Sequence, residues 1–143
     1  MTATTTKKTF KAPIENVYHV ITDYKSYPEF VEGVSDVNVI EQTEDGALGE
    51  YSLNLIKNFK YRLKLKHIVN QSVIWELDSG DLFKINRGSW KLKKLSDNET
   101  EVTYEVEIAV KGFIPGSGRI IKKLTEVNLP SMMDAYEKRA QEI

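Results

Sequence analysis

Phe59-Lys60-Tyr61-Arg62-Leu63-Lys64-Leu65-Lys66-His67 alternates without interruption between an apolar or aromatic side chain and a cation, ending on a histidine in the apolar phase. A period of two sends successive side chains to opposite faces of an extended chain. The stretch therefore reads as a strand with one apolar face and one row of cations, the pattern of an antiparallel sheet with one wet side. A parallel strand covered on both faces would not carry Lys60, Arg62, Lys64 and Lys66 in a row.

Working outward, the same period recurs on both sides. Upstream, Tyr51, Leu53 and Leu55 alternate with Glu50, Ser52 and Asn54, and a strand beginning at Val37 and Val39 runs into Asp45-Gly46, a strong hairpin signal. Downstream, Asn70-Gln71 turns the chain, and Val73, Trp75 and Leu77 alternate with Ile74, Glu76 and Asp78. Ser79-Gly80-Asp81 breaks it, and Phe83 to Leu95 resumes with Trp90 and Leu92 on one face. After Asp97-Asn98, Val102, Tyr104, Val106, Ile108 and Val110 share a face. Thr4 to Lys11, rich in β-branched residues, supplies a first strand.

Two short helices interrupt the strands after the first. Ile14, Val17, Tyr18 and Ile21 recur at helical spacing to about Asp23, with Pro13 suited to the first helical position and His19 off the stripe, in solvent. Ser26 and Glu29 have capping-box spacing with Pro28 in the first turn, which starts a second helix ending near Gly33. Past Gly112, Pro115, Gly116 and Gly118, the residues Ile120, Leu124, Val127, Met133, Tyr136 and Ala140 trace a helix to the C-terminus. Pro130 lies inside it, and the missing N–H with the ring's clash against the preceding turn predicts a kink or local break.

This order specifies an α+β fold in one unit spanning 1–143: a curved antiparallel sheet of about six to seven strands wrapped on a long C-terminal helix, with two short helices between strands 1 and 2. An apolar sheet face cannot be left in water, since each large side chain buried contributes about 1.5–3 kcal/mol. The C-terminal helix is the one long amphipathic element available to cover it. A helix about 10–12 Å across is narrow against strands spaced about 4.8 Å apart, so the sheet curls tightly or space remains beneath the helix. The inward phase is rich in aromatics with polar tips: Tyr51, Tyr61, Trp75, Trp90, Tyr104 and Tyr136. Such a lining suits an apolar pocket with a few hydrogen-bonding points. It equally suits a filled core.

Composition bounds the chemistry. The 143 residues contain no cysteine and only two histidines, His19 and His67, which removes thiolate catalysis and disulfides and leaves little for a metal site. No cofactor is implied. A net charge of −1 argues against a nucleic-acid partner, which a basic surplus would favour. Met1 to Thr9 lacks the apolar core of a signal peptide, and no run approaches the about 18 apolar residues of a membrane span. The expectation is a cytoplasmic protein, a monomer or weak dimer.

Three stretches resemble a known superfamily. Ala12-Pro13-Ile14-Glu15-Asn16-Val17-Tyr18 through Asp23-Tyr24-Lys25-Ser26-Tyr27-Pro28-Glu29-Phe30 is similar to an opening of the form P-x-x-x-V-(Y/F) … D-x-x-x-Y-P-x-F. Gly80-Asp81-Leu82-Phe83 leading to Gly88-Ser89-Trp90 is similar to a G-P-F … G-x-W segment. Leu129-Pro130-Ser131-Met132-Met133 through Glu137-Lys138-Arg139-Ala140 matches the terminal-helix signature. The chain resembles the START-like, or SRPBCC, superfamily with its helix-grip fold. Within it, the chain looks closest to the polyketide-cyclase-like group that includes coenzyme Q-binding proteins and the bacterial ribosome-association toxin. It departs from the group where Val31-Glu32-Gly33-Val34 replaces a Pro-Trp-Cys stretch, and where Leu82 stands for the proline before Phe83.

The resemblance implies a cavity for a hydrophobic small molecule such as a lipid, isoprenoid or quinone, bound without catalysis. Its walls would come from Tyr51, Leu53 and Leu55, from Tyr61, Leu63 and Leu65, from Trp75, Trp90 and Val106, and from Met133 and Tyr136 on the helix. His67 extends the inward phase of Tyr61, and Arg87 is an anchor for an acidic head group or a partner for a glutamate on the next strand. A second reading is a cyclase or dehydratase using His67, Arg87 or a cavity tyrosine as acid–base group. No Ser-His-Asp or His-Glu arrangement is discernible for it. A third is an interaction protein whose cationic strand face meets a ribosome or membrane surface, though a solvated face neutralised by Glu105 and Glu107 explains that row as well.

Overall fold

The strand that organises the sheet, β4 (Asn58–Ile68), keeps its alternation without fault: Phe59, Tyr61, Leu63, Leu65 and His67 are buried and the residues between them exposed. The computed structural model describes residues 2–54, 57–112 and 114–143. Around β4 lie β1 (Thr2–Phe10), β2 (Val34–Thr43), β3 (Gly46–Asn54), β5 (Ser72–Gly80), β6 (Phe83–Ser96) and β7 (Glu99–Val110). They form one antiparallel sheet in the order β1-β7-β6-β5-β4-β3-β2. Neighbours β2 to β7 are linked in sequence by hairpins, and β1 closes on β7 at the far edge.

Register irregularities bend the sheet. Bulges interrupt the β2–β3 ladder at two places, the β4–β5 ladder between Arg62 and Leu63, and the β6–β7 ladder after Phe83 and after Lys94. The β5–β6 ladder holds for four residue pairs, from Ser72↔Lys91 to Trp75↔Gly88. Bulges increase local twist and bend the strand that carries them, so the apolar face becomes concave.

Helix α1 (Ile14–Thr22) and a 3-10 segment (Tyr24–Glu29) occupy the predicted place between β1 and β2. Pro13 stands one position earlier than expected, as the N-cap, where its carbonyl accepts from the Asn16 and Val17 amides. The Ser26–Glu29 capping box does not form, because this segment winds as a 3-10 helix whose start lies at Tyr24 and has no side-chain cap. Glu29 instead pairs with Arg139 at 3.3 Å.

The terminal helix is continuous but not uniform. α2 (Ser117–Lys122) passes through a π-helical segment (Lys123–Asn128) into α3 (Leu129–Gln141). Pro130 thus produces a widened turn rather than a break. In an α-helix its ring would clash with the Glu126 carbonyl and its missing N–H would leave that carbonyl without a partner; a π-turn displaces the chain there. Asn16 Nδ2 donates to the Ala140 carbonyl, and Lys8 pairs with Asp134 and Glu137, which ties α3 to α1 and β1.

On the outer face, Arg62 pairs with Glu50 at 3.0 Å and Lys64 with Asp78 at 3.4 Å. The expected neutralisation by Glu105 and Glu107 does not occur, because β5 and β6 separate β7 from β4. Glu107 pairs with Arg87 instead. Among the described residues no helix is long and apolar enough to cross a membrane.

Candidate functional site

The concave face and the terminal helix are bridged by aromatic side chains. Trp90 meets Tyr136 with ring centroids 4.8 Å apart, and Tyr136 also packs against Tyr27 at 5.6 Å and Phe30 at 5.2 Å. Tyr51 stacks on Tyr61 at 5.4 Å and 8°, while Trp90 and Trp75 both lean on Tyr104. These bulky contacts hold the helix off the sheet, and space remains between them.

That space has two adjoining lobes. The first, about 140 Å³, lies against the widened turn and is walled by Leu53, Phe83, Ile108, Leu124, Asn128 and Leu129. The second, about 130 Å³, is aromatic, with Tyr27, Tyr51, Trp75, Trp90 and Tyr136 around Leu63 and Leu65. Val31, Val34, Tyr61, Asn86, Tyr104 and Met132 belong to both walls. A dry engineered cavity of about 150 Å³ holds one benzene, so each lobe has room for roughly one ring.

Two amides punctuate the apolar wall. Asn86 is buried, and its Oδ1 accepts the Trp75 indole N–H at 3.0 Å. Gly88 makes that position of the indole available: a Cβ there would stand 2.6 Å from the Trp75 ring and collide with the Glu105 carbonyl. Asn128, in the π-segment, is buried too, and its Oδ1 has no hydrogen-bond partner among the described residues. Burial raises the phenols of Tyr51, Tyr61, Tyr104 and Tyr136 above their ordinary range, so all four stay protonated at neutral pH. The one charged residue on either wall is Glu32, which is exposed.

The structure brings together Leu53, Tyr61 and Val106 in the first lobe, and Tyr51, Tyr61, Leu63, Leu65, Trp75, Trp90 and Tyr136 in the second. Leu55 lies outside the described residues. Three of the expected residues lie elsewhere. Arg87 is on the outer face, where Nε donates to Glu107 at 2.6 Å; the glutamate on the neighbouring strand, and not a ligand, is its partner. Met133 is buried in the core and absent from both walls, and the half-buried Met132 takes its place. His67 is buried beneath α1, against Tyr18 and Tyr24, beyond the cavity. Its Nε2 accepts the Tyr24 hydroxyl at 2.7 Å, and burial holds the imidazole below its ordinary value of 6.5.

Both amides escaped the sequence reading, although each left a signal. Counting back by twos from Trp90 reaches Gly88 and then Asn86, a polar residue in the inward phase. Asn128 follows Leu124 by one helical repeat and sits on the apolar stripe. The outer face carries a larger, open concavity of about 550 Å³ across β4 to β7, edged by Lys64, Lys66, Arg87 and Lys91 with Glu76 and Glu105 among them.

Comparison with known proteins places this geometry. The family described as polyketide cyclase / dehydrase and lipid transport matches residues 10–137. The ribosome association toxin RatA of Escherichia coli (strain K12) is 28% identical over 134 residues, covering 90% of this chain and 80% of that protein. Among solved structures, the Zhui aromatase/cyclase from Streptomyces sp. R1128 superposes with a TM-score of 0.85 at 12% identity, covering 99% of this chain and 94% of that one. A START superfamily protein from Mycobacterium smegmatis gives a TM-score of 0.82 at 16% identity, covering 98% and 97%.

Proposed function

Because this chain belongs to the polyketide cyclase/dehydrase and lipid transport family, we propose that it binds and carries a compact hydrophobic small molecule without transforming it. The observation that carries this reading is the two-lobed space held open between the aromatic wall and the terminal helix. Its size favours a molecule of about two fused rings, or an isoprenoid of similar bulk, over a diacyl lipid or a long-tailed quinone. Tyr51, Tyr61, Leu53, Trp75 and Val106 would make the apolar contacts. The wall's one carboxylate, Glu32, is exposed, and the lack of a base in the buried part of either lobe supports carriage over catalysis. The tyrosines are protonated, His67 is beyond the cavity and Arg87 is on the opposite face. General-base catalysis needs a group within hydrogen-bond reach of the substrate proton.

Native mass spectrometry of gently purified protein, followed by organic extraction, tests the reading. A bound neutral species of small mass is expected. Protein that is ligand-free and that also ignores a panel of bicyclic aromatics and short isoprenoids refutes it.

A second reading draws on the relatives named ribosome association toxin. Its surface would be the outer face of the sheet, where Lys60 and Lys66 are exposed on β4 and form no ion pair among the described residues, Lys66 at the edge of the concavity. Cosedimentation with ribosomes that survives Lys60→Glu/Lys66→Glu unchanged counts against it.

A further inference from the structure

We infer that the cavity selects an uncharged ring compound bearing a hydroxyl group, read by Asn128 and Asn86 together; this rests on the carrier reading above. Asn128 is 8% exposed, it walls the first lobe, and its Oδ1 is buried with no partner. That oxygen makes no hydrogen bond among the described residues. A buried amide oxygen in that state is destabilising, and it is retained on a wall that is otherwise apolar. A half-turn of the terminal amide exchanges Oδ1 with the equally sized Nδ2, so the acceptor can be presented to the lobe without displacing a neighbour.

Asn86 supplies the complementary half. An indole N–H can only donate, so its bond from Trp75 fixes which end of the Asn86 amide is the oxygen and consumes it. What Asn86 can still offer is its Nδ2 donor pair. The first lobe thus has one acceptor wanting a proton and one donor wanting a lone pair. A hydroxyl meets both at once: it donates to Asn128 Oδ1 and accepts from Asn86 Nδ2. A ketone or ether accepts only, and leaves Asn128 as it stands. A carboxylate also accepts only, and it would bring a charge into a wall with no Lys, Arg or His to compensate it. An ammonium finds only the exposed Glu32.

Naphthalene, 2-naphthol and 2-naphthoate share one bicyclic shape suited to the two lobes and differ in this group alone. Binding of each to the delipidated full chain at neutral pH is read by fluorescence of Trp75 and Trp90, both of which wall the aromatic lobe. The native protein should bind 2-naphthol about tenfold tighter than naphthalene, the scale of a desolvated hydrogen bond. It should bind 2-naphthoate on the order of a hundredfold more weakly than 2-naphthol. Asn128→Leu should bring 2-naphthol to the affinity of naphthalene while naphthalene still binds; Asn128→Ala serves the same purpose should the leucine variant fail to fold. Equal affinity of the native protein for naphthol and naphthalene overturns the inference, as does discrimination that survives in the variant. Failure of all three compounds to bind overturns the inference, and failure of short isoprenoids to bind as well overturns the carrier reading itself.

Discussion

Replacing Asn128 with leucine should make the ligand-free protein more stable. The Oδ1 atom is buried with no partner, a state that costs about 1–3 kcal/mol relative to an apolar atom in the same place. Leucine has the branched shape and the four side-chain heavy atoms of asparagine, and its helix propensity is better by up to about 0.5 kcal/mol. The first lobe, about 140 Å³, adjoins the side chain, so the greater bulk of two methyl groups in place of the amide oxygen and nitrogen has space and overpacking does not offset the gain. The net expectation is about 1–3 kcal/mol of added stability, which for a chain of this length raises Tm by roughly 3 °C per kcal/mol. Urea and thermal unfolding followed by tryptophan fluorescence measure it. A loss of about 1 kcal/mol or more, the scale of one hydrogen bond, would show that Oδ1 is bonded to water in the native protein and is not unsatisfied. Stability gained together with hydroxyl selectivity lost would mark Asn128 as a residue kept for binding at the expense of the fold.

Other perturbations probe the rest of the framework. His67 has a folded pKa below its ordinary 6.5, so its neutral form is the one the fold favours. Its contribution is therefore fully present above pH 6.5 and is lost as pH falls through that value toward the lower folded one. The urea midpoint should decline below that point in the native protein, and the part of the decline that sets in just below pH 6.5 should vanish in His67→Phe. Gly88→Ala drives a methyl group to within 2.6 Å of the Trp75 ring and into the Glu105 carbonyl; it should cost about 1–3 kcal/mol or more and shift the tryptophan emission. Arg87→Ala breaks an exposed pair with Glu107, so stability should change by less than about 1 kcal/mol and ligand affinity not at all.

The sheet is legible because β4 states its own rule: five inward positions alternate with the four cations between them without a slip, and the turns after β2, β4, β5 and β6 each carry an asparagine or aspartate to mark them. Residues inferred from that parity, such as Tyr61, Leu63 and Trp75, do face the cavity. Parity cannot say how far along a strand the cavity extends. His67 has the inward phase of Tyr61, yet it lies under α1, where Tyr24 fills the space that a ligand would need. Nor does parity report an ion pair to a neighbouring strand, which is what takes Arg87 out of consideration. A single stripe along the helix selects Met133, whereas the structure sets Met132 on the cavity wall and Met133 in the core. The clue was present: Leu124 and Leu129 are five residues apart, a step that fits i→i+5 winding and no α-helical repeat. Asn86 and Asn128 were passed over because amphipathic patterns are sought through apolar residues, whereas here the informative residues are the polar exceptions among them.

The widened turn at Lys123–Asn128 also acts as a change of phase. Leu129 follows Ile120 by nine residues, and at about 100° per residue an uninterrupted α-helix would set them about 180° apart, one facing the core and one facing water. Both are buried. One extra residue absorbed in the turn takes up about 100° of that difference, which lets α2 and α3 use different sequence frames and still present apolar faces to the same interior. Any alignment of this helix with a straight one must therefore carry a one-residue gap within 123–128. Deleting one residue there would convert the widened turn into an α-turn and leave Ile120 and Met133 both facing the interior; deleting one outside it would rotate one flank by about 100° against the other, and set Ile120 and Met133 in competition for which of them stays dry.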